Sequence, residues 1–238
     1  MHCNAQEKMQ FDPLAPFPLL PVDSHSYFEA QVHGDQVDRW LGFRIDEIEN
    51  KLAKIGCRKK ARDCSGQNQN LWIGLEPKKL LTPYTELRSI LEQLKPQPGS
   101  TVVDLGAAYG RMAFVIVRHF PEVNFVGYEY VGERVAEFER CFEVFAPDAD
   151  RKRIKLLNND LSSKKFSPVA ADFYFIYDYG SQAAIEKTIY DLKIIARKGS
   201  ITVIGRGRLC RDIVERNHPW LSQVNQPQHL GNFSIYKS

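Results

Sequence analysis

From Thr101 onwards, short apolar runs alternate with longer segments in which apolar residues recur every three or four positions. The short runs are rich in β-branched and aromatic residues and predict strands over Thr101–Leu105, Asn124–Glu129, Ile154–Leu157, Phe173–Tyr177 and Ser200–Ile204. The longer segments predict helices that bury one face, over Arg111–Phe120, Glu133–Phe145 and Ala183–Ala196. Apolar strands followed by helices are typical of a buried parallel sheet with right-handed crossovers.

The end of the chain departs from this alternation. A helix is predicted over Arg211–Arg216, and two short segments follow around Pro227 and Gly231. These segments predict a closing antiparallel hairpin whose last strand covers Asn232–Tyr236.

The first third of the chain has another pattern. Four prolines between Phe11 and Val22 exclude a regular helix there and predict an extended arm. From Asp35 to Ile55, apolar residues recur at helical spacing, and Gly56 is placed to end that helix. The apolar stripe of this helix either packs on the main domain, the simpler interpretation, or forms a dimer seam.

A basic segment, Arg58–Arg62, follows this helix and is either a solvated loop or a guide for an acidic partner. A further helix is predicted to start at Thr82, with Pro83 in its first turn. We therefore expect an arm and helical extension over residues 1–80 and the main domain over residues 81–238.

Composition narrows the class of protein. The chain has 238 residues, of which 43% are hydrophobic and 26% charged, and this excludes a disordered or collagenous chain. Its five cysteines are scattered without a C-x-x-C pair, so we expect neither a disulfide framework nor a zinc ribbon. The histidines have no metal-like spacing, and we propose no metal.

The same features bear on location and partners. The longest purely apolar run, Met112–Val117, is too short to span a bilayer, and the first residues lack the pattern of a secretory signal. We therefore expect a cytoplasmic protein without a membrane partner. A formal net charge of +3 does not by itself indicate a nucleic-acid partner.

Candidate chemistry lies in the turn after the first strand, Val103-Asp104-Leu105-Gly106-Ala107-Ala108-Tyr109-Gly110. Glycines permit a sharp turn and the close approach of a ligand, and ligands of open parallel sheets bind at the carboxyl ends of the strands. Glu129 closes the next strand, 19 residues after Gly110, where a carboxylate can accept hydrogen bonds from the two hydroxyls of a ribose. Arg111 stands where a dinucleotide fingerprint needs its third glycine, and no G-K-[ST] of a P-loop occurs.

The segment V-D-L-G-A-A-Y-G and the later G-Y-E resemble the first two motifs of the class I, S-adenosylmethionine-dependent methyltransferases, whose usual pattern is D-x-G-x-G-x-G. The resemblance covers about Leu81 to Ser238 and implies an α/β, Rossmann-like, doubly wound, mostly parallel seven-stranded sheet with a C-terminal antiparallel hairpin, here preceded by the N-terminal helical extension. Ala108 departs from the pattern, and if its backbone has positive φ it costs about 1 kcal/mol.

The resemblance also implies roles for residues that contact S-adenosylmethionine. Asp104, Gly106, Ala108 and Gly110 would line the methionine end, with Asp104 near the ammonium group. Glu129 would hold both ribose hydroxyls. Asp160 would accept a hydrogen bond from the adenine amino group, with Leu161 packing nearby.

A looser resemblance concerns the methyl acceptor. Thr82-Pro83-Tyr84-x-Glu86, and a helix directly after the fourth strand, are similar to features of the seven-strand protein-lysine methyltransferases, including the non-SET type. Asp178-Tyr179-Gly180-Ser181 follows the fourth strand and is not the N/D-P-P-Y/F tetrapeptide of many amino-methylating enzymes. This resemblance implies N-methylation of a protein lysine. Asp178, Tyr179 and Tyr84 lie at the expected mouth of the acceptor site and are the candidate catalytic residues.

A lysine acceptor must lose its proton, and a dry aromatic channel would lower its pKa. Tyr84, Tyr109, Tyr177 and Tyr179 are candidates for lining that channel, although Tyr177 is equally well explained as core. Asp178 either orients the amine, takes its proton through water, or contacts the cofactor ammonium.

Other functions remain open at this stage. RNA or a small molecule could be the acceptor, and Arg206, Arg208 and Arg211 would suit an acidic or phosphate-bearing substrate or are simply solvated charges. A protein that binds S-adenosylmethionine without transferring its methyl group is the alternative from another class. The sequence makes no prediction of oligomeric state.

Overall fold

The centre of the molecule is a seven-stranded sheet in the order β3-β2-β1-β4-β5-β7-β6. The structure, a computed structural model, describes residues 9–21, 24–60 (55–60 as backbone only) and 81–238. Strands β1 to β5 are parallel, and β7 and β6 form an antiparallel hairpin at one edge. The strands are β1 (Thr101–Leu105), β2 (Asn124–Glu129), β3 (Ile154–Asn158), β4 (Phe173–Tyr177), β5 (Thr202–Arg206), β6 (Gln228–Leu230) and β7 (Phe233–Lys237). The predicted fold class is confirmed.

Helices cover both faces of the sheet. They are α1 (Tyr27–Trp40), α2 (Ile45–Lys60), α3 (Tyr84–Leu94), α4 (Arg111–His119), α5 (Gly132–Phe145), α6 (Asp148–Arg151), α7 (Gln182–Ala196), α8 (Arg208–Asn217) and α9 (Pro219–Ser222). Apolar side chains of α3, α4 and α5 form one buried core with the sheet, and those of α7, α8 and α9 form the other. Along β1, Val102 belongs to the first core and Val103 to the second, as the alternation of a strand requires.

The fifth strand is displaced from its predicted position. The sequence predicts Ser200–Ile204, whereas β5 covers Thr202–Arg206. Pairing with β4 explains the difference, because Phe173 pairs with Thr202 and Tyr177 with Arg206. Arg206 therefore belongs to the strand itself.

The helix predicted over residues 35–55 is wrong as one element. The structure contains two helices there, α1 and α2, and the chain turns at Gly42, where φ is +81°. The backbone N–H of Phe43 donates to the carbonyl of Asp38 within this turn. The predicted stop at Gly56 is also wrong, since α2 continues to Lys60.

The extension packs on the main domain. Val37, Leu41 and Ile45 are buried in the same core as α3 and α4, which favours the packing interpretation of the apolar stripe. The basic segment Arg58–Arg62 has no described side chains, and residues 61–80 lie outside the described residues. The boundary between residues 80 and 81 stays a prediction. Of the helices in the described part of the chain, none is long and apolar enough to cross a membrane.

Candidate functional site

The carboxyl ends of the central strands bring the predicted motifs together. Leu105 at the end of β1 pairs with Tyr128 of β2 and with Ile176 of β4. The turn over residues 106–110, Glu129 and Asp178 therefore lie at the same edge of the sheet, and Asp160 follows the neighbouring strand β3. This edge is where open parallel sheets bind ligands.

The turn after β1 is held in a left-handed conformation at three positions. Gly106, Ala108 and Gly110 have φ of +91°, +48° and +65°. A Cβ on Gly106 would lie 2.3 Å from the Cβ of Tyr179, and one on Gly110 would lie 2.6 Å from the Phe138 ring. Both glycines are therefore required by the protein's own packing, and Ala108 has the positive φ that makes an alanine costly.

Glu129 anchors this turn. Its Oε2 accepts a hydrogen bond from the Ala108 N–H at 2.9 Å, and its Oε1 accepts one from the Val131 N–H at 2.8 Å. A carboxylate offers about four acceptor positions, so two remain after these bonds. Two is the number that the hydroxyls of a ribose need.

Asp104 is a buried carboxyl group that has no partner in the described part of the chain. The residue is 6% exposed, and its carboxyl group makes no hydrogen bond or ion pair with any described residue. Burial, and then the nearby charge of Glu129, raise the pKa of Asp104 to about 8. A buried acid that lacks a partner is the kind of group that a bound cation stabilises in its charged form.

Two further charged residues, which the sequence analysis missed, complete the site. Glu49 of α2 accepts from the Tyr109 hydroxyl at 2.8 Å and from Arg134 Nε at 2.8 Å. Arg134 of α5 also lies between Glu49 and Glu129, with 3.6 Å from its Nη1 to Glu129 Oε1. The sequence could have indicated that Glu49 is buried, because it is a charged residue on the same helical face as Ile45 and Leu52. Nothing in the sequence indicated its partner Arg134.

Asp160 and Leu161 lie at the end of the strand beside Glu129. Asp160 Oδ1 accepts from the backbone N–H of Ser162 at 2.9 Å and from its hydroxyl at 2.6 Å. Asp160 Oδ2 makes no hydrogen bond within the described residues, so one oxygen remains available to a ligand. Leu161 is buried in the second core, in the same cluster as Tyr128.

Asp178 is engaged by a helix. Its Oδ1 accepts from the Cys210 N–H at 2.8 Å and its Oδ2 from the Leu209 N–H at 3.2 Å, so it caps the N-terminus of α8. Burial raises the pKa of Asp178, and these hydrogen bonds act in the opposite direction. Its catalytic role stays a prediction, and capping is the role that its contacts support.

Tyr179 and Tyr84 are also engaged within the protein. The Tyr179 hydroxyl hydrogen-bonds to Thr188 of α7, and its Cβ packs against Gly106. Tyr84 is fully buried and donates to Asp38 of α1 at 2.7 Å. The catalytic roles predicted for these two tyrosines stay predictions.

At the ends of β4 and β5, aromatic rings surround a buried cation. Arg206 is 4% exposed, and its Nε and Nη2 donate to Glu86 at 2.7 and 3.0 Å. Its guanidinium carbon lies 4.2 Å from the centre of the Tyr177 ring and 5.8 Å from that of Tyr27. Arg206 is therefore a paired, buried residue, and the interpretation as solvated charge is wrong for this arginine.

The charges of the site favour a cationic ligand. Asp104, Glu129 and Glu49 supply three carboxyl groups, and Arg134 supplies a guanidinium that lies near two of them. Within the described ranges, no three His, Cys, Asp or Glu side chains are arranged to hold a metal ion. The residues fit a nucleoside with a positively charged tail, which would pair with Asp104 and place its ribose on Glu129.

Known structures share this architecture. The pyocyanin biosynthetic protein PhzM matches with a TM-score of 0.51 at 15% identity, over 67% of this chain and 56% of that chain. The chain shares its fold with PhzM. Its strand order and antiparallel C-terminal hairpin are those that the resemblance implied.

Two other similar structures have bacterial sources. An RNA methyltransferase from Salinibacter ruber, in complex with S-adenosyl-L-homocysteine, matches with a TM-score of 0.46 at 17% identity, over 66% of this chain and 91% of that chain. A SAM-dependent methyltransferase from Aquifex aeolicus matches with a TM-score of 0.44 at 15% identity, over 64% of this chain and 88% of that chain. No protein-family model matches the sequence, and no curated protein matches it.

Proposed function

We propose that this protein is an S-adenosylmethionine-dependent methyltransferase. The observation that carries the proposal is the pair of carboxyl groups at the ends of β1 and β2. Asp104 is buried and has no hydrogen-bond or ion-pair partner among the described residues, and Glu129 anchors the glycine-containing turn while keeping two acceptor positions. The methyltransferase fold supports the same reading, because these are the strand ends at which the resemblance places the cofactor.

The residues would hold the cofactor at three points. Asp104 would pair with the ammonium group of the methionine tail, and Glu129 would accept from both ribose hydroxyls. Asp160 would accept from the adenine amino group through Oδ2, while Oδ1 stays bonded to Ser162. The cofactor supplies a methyl group on a sulfonium, and the main task of the protein is to align that group with an acceptor.

The acceptor that we propose is the amine of a protein lysine. The sequence resemblance around Tyr84 and Glu86 supports it, and Tyr177 and Tyr27 lie at the edge where the acceptor would enter. The contacts of Asp178, Tyr179 and Tyr84 add no support, because each of these side chains already has a partner within the protein. RNA and small-molecule acceptors, and binding without transfer, are the alternatives.

Calorimetric titration with S-adenosylhomocysteine tests the cofactor site. Replacing Glu129→Ala should weaken binding by about 1–3 kcal/mol, because the ribose hydroxyls lose their acceptor. Glu133→Ala is the matched control, since Glu133 lies four residues after Glu129, in the first turn of α5, and is exposed. Equal affinities of Glu129→Ala and the wild type would show that Glu129 does not bind the cofactor.

A transfer assay on cell lysate tests the acceptor. The protein is incubated with S-adenosylmethionine labelled in its methyl group, and the labelled product is separated into protein, RNA and small molecules. We expect label in protein, at lysine after hydrolysis. Label in RNA or in a small molecule would overturn the lysine proposal, and binding without transfer to any fraction would favour the non-catalytic alternative.

A further inference from the structure

Glu49 belongs to the N-terminal extension, yet its carboxylate lies at the candidate cofactor site. The residue is 4% exposed. It accepts hydrogen bonds from the glycine-containing turn, through Tyr109, and from α5, through Arg134. Burying a carboxylate without partners is costly. The position of Glu49 between two other elements therefore depends on these hydrogen bonds.

The main partner of Glu49 is Arg134. Arg134 donates from Nε to Glu49 Oε1 at 2.8 Å and from Nη2 to Glu49 Oε2 at 3.2 Å, which is a bidentate pair. Its Nη1 is 3.6 Å from Glu129 Oε1, which is too long for a hydrogen bond. The guanidinium that Glu49 binds is therefore close to Glu129 without donating a hydrogen bond to it.

The choice of Glu49 rather than Glu129 as the acceptor of Arg134 matters, because an arginine and a ribose would compete for the carboxylate of Glu129. A guanidinium that binds a carboxylate by two parallel hydrogen bonds would occupy the acceptor positions that the Ala108 and Val131 N–H groups leave open on Glu129. Arg134 Nη1 lies 3.6 Å from Glu129 Oε1, while Arg134 Nε and Nη2 donate to Glu49.

We propose that Glu49 is a positioning residue for the cofactor ribose: by binding two N–H groups of Arg134, it keeps two acceptor positions of Glu129 open to a pair of vicinal hydroxyls. The inference rests on the proposed function, because it concerns the ribose of the same cofactor. It makes helix α2 of the extension part of the cofactor site.

Discrimination between two ligands tests this role. S-adenosylhomocysteine and its 2′-deoxy analogue are titrated into the wild type and into Glu49→Gln, and the ratio of the two affinities is compared. For the wild type we expect the 2′-deoxy analogue to bind about tenfold more weakly, because one hydrogen bond to a charged group is lost. In Glu49→Gln the ratio should fall to about twofold or less, because a neutral amide holds Arg134 less tightly than a carboxylate and the guanidinium can then donate to Glu129.

The control is Glu47→Gln, which removes an exposed carboxylate from the same helix and should keep the ratio of the wild type. A purely structural role would lower both affinities and leave the ratio unchanged, and that result would overturn the inference. A wild type that binds neither ligand would overturn the proposed function, and the inference with it.

A crystal structure of the wild type with S-adenosylhomocysteine provides a second measurement, which decides the question even if Glu49→Gln does not fold. Both hydrogen bonds from Arg134 to Glu49 should persist, with the ribose hydroxyls donating to Glu129. A complex in which Arg134 has left Glu49 for Glu129 or for the ligand would contradict the inference.

Discussion

Asp104 is a buried acid whose protonation depends on what binds next to it. Its folded pKa of about 8 lies above the ordinary value of 3.8, so the folded protein binds more protons than the unfolded chain between these two values. The stability linked to protonated Asp104 is therefore fully present below the unfolded value of 3.8 and is lost as the pH rises from there through about 8. A cationic ligand favours the carboxylate and lowers this pKa.

Proton release on ligand binding follows from this linkage. At pH 7, a carboxyl group with a pKa of about 8 is about 90% protonated, so pairing with an ammonium group should release close to one proton. Titrations with S-adenosylhomocysteine in phosphate and in Tris should give different enthalpies, because the two buffers take up the released proton with different heats. Asp104→Asn should abolish the difference, and a wild-type enthalpy that does not depend on the buffer would contradict the assignment.

Ala108 carries a backbone strain that glycine would relieve. Its φ of +48° disfavours any residue with a Cβ, and the cost is about 1 kcal/mol or more. Ala108→Gly should therefore raise the free energy of unfolding by up to about 1 kcal/mol, measured by urea denaturation. The control is its neighbour Ala107→Gly, which lacks positive φ and should lower the free energy of unfolding by about 0.5–1 kcal/mol. If both variants lose stability equally, the positive φ of Ala108 does not strain the folded protein.

At the scale of single residues, the sequence predicted positions better than contacts. The spacing placed Asp104 and Glu129 at adjacent strand ends, and the departure at Ala108 indicated where strain would occur. The partners of Glu129 could not be predicted, because its hydrogen bonds go to backbone N–H groups in a turn whose shape depends on packing. Glu49 was missed because its partner Arg134 is 85 positions away in the sequence.

Asp178 links strand β4 to helix α8. Two backbone N–H groups at the start of α8 donate to its carboxylate, and a Cβ on Gly207 would lie 2.3 Å from Asp178 Oδ2. Glycine at position 207 is thus required for the carboxylate to reach the helix.

Loss of this cap should destabilise the protein. Asp178→Ala should lower the free energy of unfolding by about 1–2 kcal/mol, because two N–H groups of α8 lose their acceptor. Asp212→Ala in the same helix removes only a surface ion pair with Arg208 and should change it by less than about 0.5 kcal/mol. Equal stabilities of Asp178→Ala and the wild type would contradict the capping role. A fall in methyl transfer at an unchanged folded fraction would restore the catalytic prediction.

Elements whose ends are marked in the sequence were predicted well, and the others were not. Strands β1, β2 and β4 have the predicted bounds, because each apolar run is bordered by polar residues or glycine. The end of β5 could not be predicted from its own residues, since pairing with β4 extends it to Arg206, whose charge is neutralised by the distant Glu86. The turn at Gly42 interrupts an apolar periodicity that continues from α1 into α2, so periodicity alone did not reveal it.

At the scale of the whole molecule, a buried ion pair connects the extension to the main domain. Arg111 at the start of α4 pairs with Asp38 of α1, donates to the carbonyl of Thr82 at 3.0 Å, and lies over the Tyr84 ring. Arg111 and Asp38 are 4% and 5% exposed. Because these contacts join α1, α3 and α4, we expect the extension and the main domain to unfold in one cooperative transition.

Removing one partner of this ion pair should lower the free energy of unfolding much more than replacing both partners with apolar residues. Arg111→Met alone should lower the free energy of unfolding by about 3–5 kcal/mol, because Asp38 is left buried without its main counter-charge. Arg111→Met combined with Asp38→Leu should regain most of this loss, since burying a charge pair offers little net stabilisation over apolar contacts. Arg118→Met, an exposed position of the same helix, should change the value by less than about 0.5 kcal/mol. A double variant as unstable as the single one, in urea denaturation, would mean that the hydrogen bonds of Arg111 and Asp38 to Thr82 and Tyr84, rather than their mutual charge, hold the extension in place.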